Sequence, residues 1–274
     1  MGISNTVRHM AKQIVPRERF SYSLLEEPYF YRRPDKNKIK KLHNAYAGKR
    51  CFILGNGPSL NKVNFDLLTD ECTFGVNGIF YKTQECGFIP TFYVVEDRAV
   101  MNDNIASINE YDASFKFFPT HYKDKLYNRK NCMFFNMNTG FYRQESPNFG
   151  IPRFSTDLSK RLYCGQSVTI LNLQIAHYLG FSEVYLLGMD FSYTIPDSAK
   201  VDGLEILSTE DDTNHFHPEY FGKGKTWHDP QLEKVLRSYQ MMKLVYESSN
   251  RKIFNATHGG LLEVFDRTEM ESLF

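Results

Sequence analysis

From Cys51 to Leu54 the chain is wholly apolar, and the run stops at Gly55-Asn56-Gly57-Pro58-Ser59 before Leu60 opens a short amphipathic stretch. That pattern is a strand, a tight loop and a helix start. Gly55 and Gly57 permit backbone angles closed to other residues and let a ligand approach the main chain. Pro58 is preset for a first helical turn and lacks the N–H that would go unpaired there. Free N–H groups at such a junction, with the positive end of a helix dipole, attract phosphate. A phosphorylated or nucleotide-linked ligand is therefore expected near residues 55–60. The loop is not a familiar fingerprint. Leu60 stands where a dinucleotide loop has its third glycine, and no Gly-Lys-Ser/Thr follows. P-loop kinases and standard NAD enzymes are disfavoured.

From Lys49 onward, short apolar runs alternate with helical patterns. Strands are expected at 50–54, 73–76, 92–95, 115–118, 133–135, 184–187 and 252–254. Helices are expected around 60–68, 99–109, 121–127, 167–179 and 230–249. Such alternation predicts a doubly wound, Rossmann-like, mostly parallel α/β sheet with helices on both faces. The clearest helix is 167–179. Ser167 is placed to cap it, Val168, Leu171, Ile175, Tyr178 and Leu179 form one stripe, and Gly180 stops it. Residues 192–229 lack periodicity yet hold Tyr193, His215, Phe216, His217, Tyr220, Phe221, Trp227 and His228. So many aromatics argue against disorder, and the stretch reads as a lid insertion.

The expected organisation is a basic N-terminal extension over 1–45 and a catalytic domain over 46–274. Residues 1–50 hold 12 Lys or Arg against four acidic residues, although the whole chain is only +1. The arm is either a solvated helical segment or a patch that meets anionic lipid headgroups. No nucleic-acid motif accompanies the charge, so nucleic acid is not an expected partner. The five cysteines are dispersed with no Cys-x-x-Cys pair, which reads as reduced thiols in a cytoplasmic protein. No bilayer-length apolar run and no secretory leader is evident.

In a doubly wound sheet, ligands sit beyond the carboxyl ends of the strands. That rim would gather the Gly55–Ser59 loop, Asn77, Glu96, Asp97, Gly188, Asp190 and the 255–257 turn. Asn77 either binds a sugar, base or phosphate oxygen or shapes a turn with Gly78. Glu96 and Asp97 could hold ribose hydroxyls or magnesium, or Asp97 could cap the next helix. His215, His217 and His228 are candidates for proton transfer near neutral pH. An extended segment would put His215 and His217 on one side. Tyr193 and Tyr220 could donate to a leaving phosphate. No nucleophile motif appears, and no metal site is expected.

Gly55-Asn56-Gly57-Pro58-Ser59-Leu60, Phe74-Gly75-Val76-Asn77, Leu179-Gly180-Phe181, the strand at 184–187 with Gly188-Met189-Asp190-Phe191, and Asn255-Ala256-Thr257-His258-Gly259-Gly260-Leu261 carry a resemblance over roughly residues 49–267. The chain resembles domains grouped with archaeal 6-hydroxymethylpterin diphosphokinase and with flagellin motility accessory factors. It is also similar to bacterial sialyltransferases of lipooligosaccharide synthesis. The second resemblance implies a sugar donor linked to cytidine monophosphate and inverting, metal-free transfer. It implies donor contacts from Asn56, Asn77 and Ser167, a histidine base in the insertion, and two tyrosines at the departing phosphate. Ser192 stands where that family has its first tyrosine, and Tyr193 follows it.

The expected protein is a cytoplasmic glycosyltransferase of surface-polysaccharide assembly, either free or held at the membrane surface through residues 1–50. Its partners would be a nucleotide-sugar donor and a glycan or glycolipid acceptor. Homo-oligomerisation stays open. His228 is the preferred base, with His215 and His217 as alternatives. No cofactor is expected, unless the chain is instead a magnesium-dependent diphosphokinase with Glu96, Asp97 or Asp190 as ligands. A non-catalytic nucleotide-binding module is the third reading.

Overall fold

A computed structural model describes residues 34–274. The expectations for the basic arm and its membrane contact fall largely on residues 1–33, outside the described residues. Five strands form in sequence, β1 (Arg50–Leu54), β2 (Thr73–Val76), β3 (Phe92–Val94), β4 (Phe115–Pro119) and β5 (Cys132–Phe135). A two-stranded pair follows, β6 (Met137–Asn138) with β7 (Leu162–Tyr163). Next come β8 (Glu183–Leu187) and three short strands, β9 (Lys200–Asp202), β10 (Glu205–Leu207) and β11 (Thr226–His228). The chain ends with β12 (Lys252–Asn255) and β13 (Asp266–Arg267). The helices are α1 (Lys36–Lys40), α2 (Phe80–Cys86), α3 (Arg98–Asp103), α4 (Ile105–Glu110), α5 (Val168–Leu179) and α6 (Leu232–Ser248).

Eight strands make one sheet in the order β13-β12-β8-β1-β2-β3-β4-β5, and every pairing in it is parallel. The Rossmann-like reading of the sequence holds. The order reverses between β1 and β8, so their carboxyl ends flank the crevice where open α/β sheets bind ligands.

Side chains alternate between the two faces, as a pleated strand requires. Cys51 and Ile53 point into one core with Phe74, Phe92, Val94, Val184 and Leu186, and there α5 and α6 cover the sheet. Phe52 and Leu54 point into the other with Tyr93, Phe118, Tyr185 and Leu187, under α2, α3 and α4. Phe52, Ile53 and Leu54 are fully buried, each contributing roughly 1.5–3 kcal/mol. Residues 34–45, which the sequence placed with the extension, pack on the α5 side. Ile39 is buried in that core, and the amide of Asn44 donates to the carbonyl of Tyr178.

Several local expectations change. The helix expected at 60–68 is two 3-10 turns, Pro58–Lys62 and Phe65–Leu68. Asn64 accepts the Asp66 amide through its side chain, a local bond that competes with helix continuation. The helix at 99–109 splits at Asn104, whose amide group donates to the Val100 carbonyl. At 121–127 only a 3-10 turn at Thr120–Tyr122 forms, because Asn109 accepts the amides of Tyr127 and Asn128 and holds that chain open. The insertion is not irregular throughout, since β9, β10 and β11 build a small antiparallel sheet within it. Helix α5 buries all twelve residues rather than one stripe, being packed between sheet, α6 and the segment around Asn44 and Tyr46. Among the described residues, no helix is long and apolar enough to cross a membrane.

Candidate functional site

Five chain segments end at the same rim. The loop after β1 packs directly on the loop after β8. A Cβ on Gly57 would lie 2.0 Å from Asp190 Oδ2 and 2.8 Å from the Gly188 carbonyl, so only glycine fits. The Gly57 amide donates to the Gly188 carbonyl (3.0 Å). The Ser59 hydroxyl donates to Asp190 Oδ2 (2.7 Å), and the Ser59 amide faces both carboxylate oxygens (3.2 and 3.3 Å). A phosphate was expected at this corner. The anion held at the main-chain corner of Pro58 and Ser59 is the chain's own Asp190 carboxylate, and the corner opens a 3-10 turn rather than a full helix.

Asn56 is held differently. Its side-chain amide donates to the Val76 carbonyl (3.0 Å) and to the Tyr220 hydroxyl (2.9 Å). Because a carbonyl can only accept, these bonds fix the amide's orientation. The opposite atom, Oδ1, is buried with no partner. An unsatisfied buried acceptor costs roughly 1–3 kcal/mol and is relieved by a donor from a ligand or water. Asn77 follows β2 with φ +45°, and its Oδ1 accepts the Glu96 amide (3.3 Å). Gln166 (φ +71°), ahead of α5, and Phe191 (φ +54°), after β8, also have positive φ. Strain of this kind gathers at functional sites.

Glu96 lies half-buried beyond β3. Its carboxylate accepts the Tyr142 hydroxyl (3.1 Å), and its carbonyl accepts the Tyr122 hydroxyl (2.7 Å). Burial, and then the neighbouring Asp97 charge, push its carboxyl up to about 7, against the lowering effect of Tyr142. Glu96 is thus a group able to exchange a proton near neutral pH. Asp97 caps α3 by accepting the Val100 amide (2.9 Å). Ser167 caps α5 through its hydroxyl, which accepts the Thr169 amide (3.3 Å).

The insertion roofs this rim. The Phe216 amide donates to the Asn56 carbonyl (2.9 Å), and Asn61 donates to the Phe216 carbonyl (2.9 Å). Three residues of the roof form a line: Asp212 Oδ2 lies 2.7 Å from His215 Nδ1, and His215 Nε2 lies 3.5 Å from the Tyr193 hydroxyl. The Asp212 and His215 side chains are only 3% and 8% exposed. Burial raises the Asp212 carboxyl, but bonds from His215 and from the Asn214 and Phe221 amides outweigh it and hold the group below its usual range. An ionised Asp212 accepts only, so His215 carries a hydrogen on Nδ1 and turns Nε2 toward Tyr193. Burial first, and then the charge of Asp212, push the Tyr193 phenol up. Tyr193 nevertheless exposes 38% of its surface, as a wall of an open crevice would.

The other two histidines stand elsewhere. His217 stacks on Tyr81 of α2 (4.3 Å, 10°), whereas His215 stacks on Tyr220. His228, the residue favoured on sequence, is exposed on β11 and faces Glu205 across the small sheet (3.6 Å). The Tyr220 hydroxyl is already bonded by Asn56 and by the Gly78 amide (3.4 Å). Among the described residues, no three His, Cys, Asp or Glu side chains are grouped to hold a metal. Sequence reasoning missed Asp212 and Tyr142. Asp212 had a signal, since a carboxylate three residues before a histidine is spaced to orient it. Tyr142 sits in a loop with none.

An all-parallel sheet, a switch point lined by Asn56, Asn77 and Asp190, and an insertion roofing it define a Rossmann-like ligand-binding domain. The chain belongs to the 6-hydroxymethylpterin diphosphokinase MptE-like family, whose model matches residues 26–196. No curated protein matches the sequence significantly. Among solved structures, the fold is similar to that of the MAf glycosyltransferase from Magnetospirillum magneticum AMB-1, with a TM-score of 0.50 and 14% sequence identity. The match covers 85% of this chain but 35% of that one, so this chain spans about a third of the length of its structural relative.

Proposed function

We propose that this chain is a glycosyltransferase-like enzyme that takes a sugar from a nucleotide donor in the β1/β8 crevice, with His215 as general base. The observation that carries the reading is the Asp212–His215–Tyr193 line built over the switch point. His215 Nε2 would take the proton of the acceptor hydroxyl as that oxygen attacks the sugar's anomeric carbon. Asp212 would stabilise the imidazolium that forms. Base catalysis of this kind contributes on the order of a hundred- to ten-thousand-fold. Tyr193 would donate toward the departing phosphate, its phenol kept protonated by burial and by Asp212. Asn56 Oδ1 and Asn77 would hold the nucleotide. A cytidine-monophosphate-linked acidic sugar is the donor to try first, and a glycan or glycolipid the acceptor.

The test has two parts. A thermal-shift screen with cytidine, uridine, guanosine and adenosine nucleotides, with and without magnesium, should show selective stabilisation by one nucleotide. His215→Ala should then lower turnover at least a hundredfold, while His217→Ala and His228→Ala stay within a few-fold of wild type. Full turnover in His215→Ala would overturn the base assignment.

The family's description supports a second reading, diphosphate transfer from ATP to a pterin-like heterocycle. The Glu96–Asp97 pair fits it best, because magnesium is commonly bound by one or two carboxylates together with substrate phosphates. Asp190 fits it less well, its oxygens being engaged by Ser59. Activity abolished by a chelator and restored by magnesium would select this reading.

A further inference from the structure

Tyr220 is buried under the insertion, with 4% of its surface exposed. Its ring lies parallel to the His215 imidazole, centroids 4.1 Å apart and planes 4° apart. Its other edge lies against Gly78, where an added Cβ would come within 2.5 Å of the ring. Its hydroxyl receives bonds from the Asn56 side chain and the Gly78 amide, the loops that follow β1 and β2. One side chain thus touches the histidine and both asparagine loops.

We propose that Tyr220 is a positioning residue that sets the His215 imidazole against the donor loops. This rests on the reading of His215 as base. The geometry divides the work within the residue. The ring fixes one face of the imidazole, while the Asp212 carboxylate fixes its edge through Nδ1. The hydroxyl anchors the insertion to Asn56. The hydroxyl oxygen accepts from two protein donors, at 2.9 and 3.4 Å, which pins the far end of the ring to the loops after β1 and β2. Gly78 belongs to the same device, because no larger residue leaves room for the ring.

The experiment compares Tyr220→Phe, Tyr220→Leu and Gly78→Ala in the full chain. The first readout uses histidine-labelled protein without ligand. His215 ring protons lie over the Tyr220 ring and should be displaced by its ring current. That displacement should persist in Tyr220→Phe and vanish in Tyr220→Leu. Gly78→Ala should reduce it by pushing the ring away, although the tyrosine is retained. The second readout is turnover of a cytidine-monophosphate-activated sugar. Tyr220→Phe removes both bonds to the hydroxyl and should raise donor KM about five- to tenfold, with kcat within about threefold. Tyr220→Leu should lower kcat about a hundredfold. Identical His215 resonances in all variants would overturn the proposal. So would a kcat in Tyr220→Phe as low as in Tyr220→Leu. Turnover surviving in His215→Ala would sink the base assignment instead, and the ligand-free resonances would still report whether the clamp exists.

Discussion

Glu96 holds its proton to higher pH in the folded chain than its ordinary carboxylate value of 4.5 allows, because burial and Asp97 raise it to about 7. Between those two values the folded chain keeps a proton that the unfolded chain has released, so stability falls as pH rises through that window. The shift corresponds to at most about 3 kcal/mol, and solvation in an open crevice reduces it. Glu96→Gln removes the charge and keeps an acceptor for Tyr142. Its stability relative to wild type should be greater at pH 8 than at pH 5 by about 1–2 kcal/mol, read from denaturant unfolding at both pH values. A difference that does not change with pH would show that Glu96 titrates normally. At this scale the sequence exposed residues whose type and turn position were both unusual, such as Asn56 and Asn77. It concealed those defined by distant partners. Nothing next to Tyr142 announces that its hydroxyl meets Glu96, 46 positions away. His215 could be separated from His217 and His228 only once Asp212 and Tyr193 were seen around it.

Elements were legible where an apolar run was long enough to show a period and was bounded by turn residues. β1, β2, β8 and α5 meet that condition. β9, β10 and β11 do not, being three residues each with Ile206 and Trp227 as their only buried members. No alternation can be read in three residues, and β9 is exposed throughout. β13 is Asp266-Arg267, added to the sheet edge by backbone bonds with no apolar signal at all. Helix α5 was found for the right reason at its start: Ser167 accepts the Thr169 amide, and Gly180 ends the helix at φ +98°. The Thr169 and Tyr239 hydroxyls both donate to Met189 Sδ (3.6 and 3.8 Å), tying α6 to the first turn of α5. Ser167→Ala should therefore cost about 1 kcal/mol in thermal or chemical unfolding, while Ser167→Thr stays within about 0.5 kcal/mol of wild type. Equal stability of Ser167→Ala and wild type would show that the cap contributes nothing.

Across the whole molecule, function follows from one reversal of strand order. β1 through β5 run outward in sequence to one edge, and β8, β12 and β13 fill the other, so the switch point falls between β1 and β8, whose following loops meet at Ser59 and Asp190. The alternation of strands and helices foretold a parallel sheet, but not that the corner at Ser59 would be filled by Asp190. That contact joins residues 131 positions apart and leaves no local trace. The proposed ligand must then be gripped beside that corner, by Asn56, Asn77 and the roof at 212–221, a footprint that hydrogen exchange can read. Saturating cytidine monophosphate should slow amide exchange at 55–61, 77–79 and 212–221. It should leave β4 and β5 unchanged, because they lie three strands or more from the switch. Ligand closure of the roof should also reduce opening of the 212–221 segment, since Phe216 and Tyr220 are bonded to the loops the ligand would touch. Protection confined to β5, or to the strands' amino ends, would place the nucleotide away from the switch point and overturn the site.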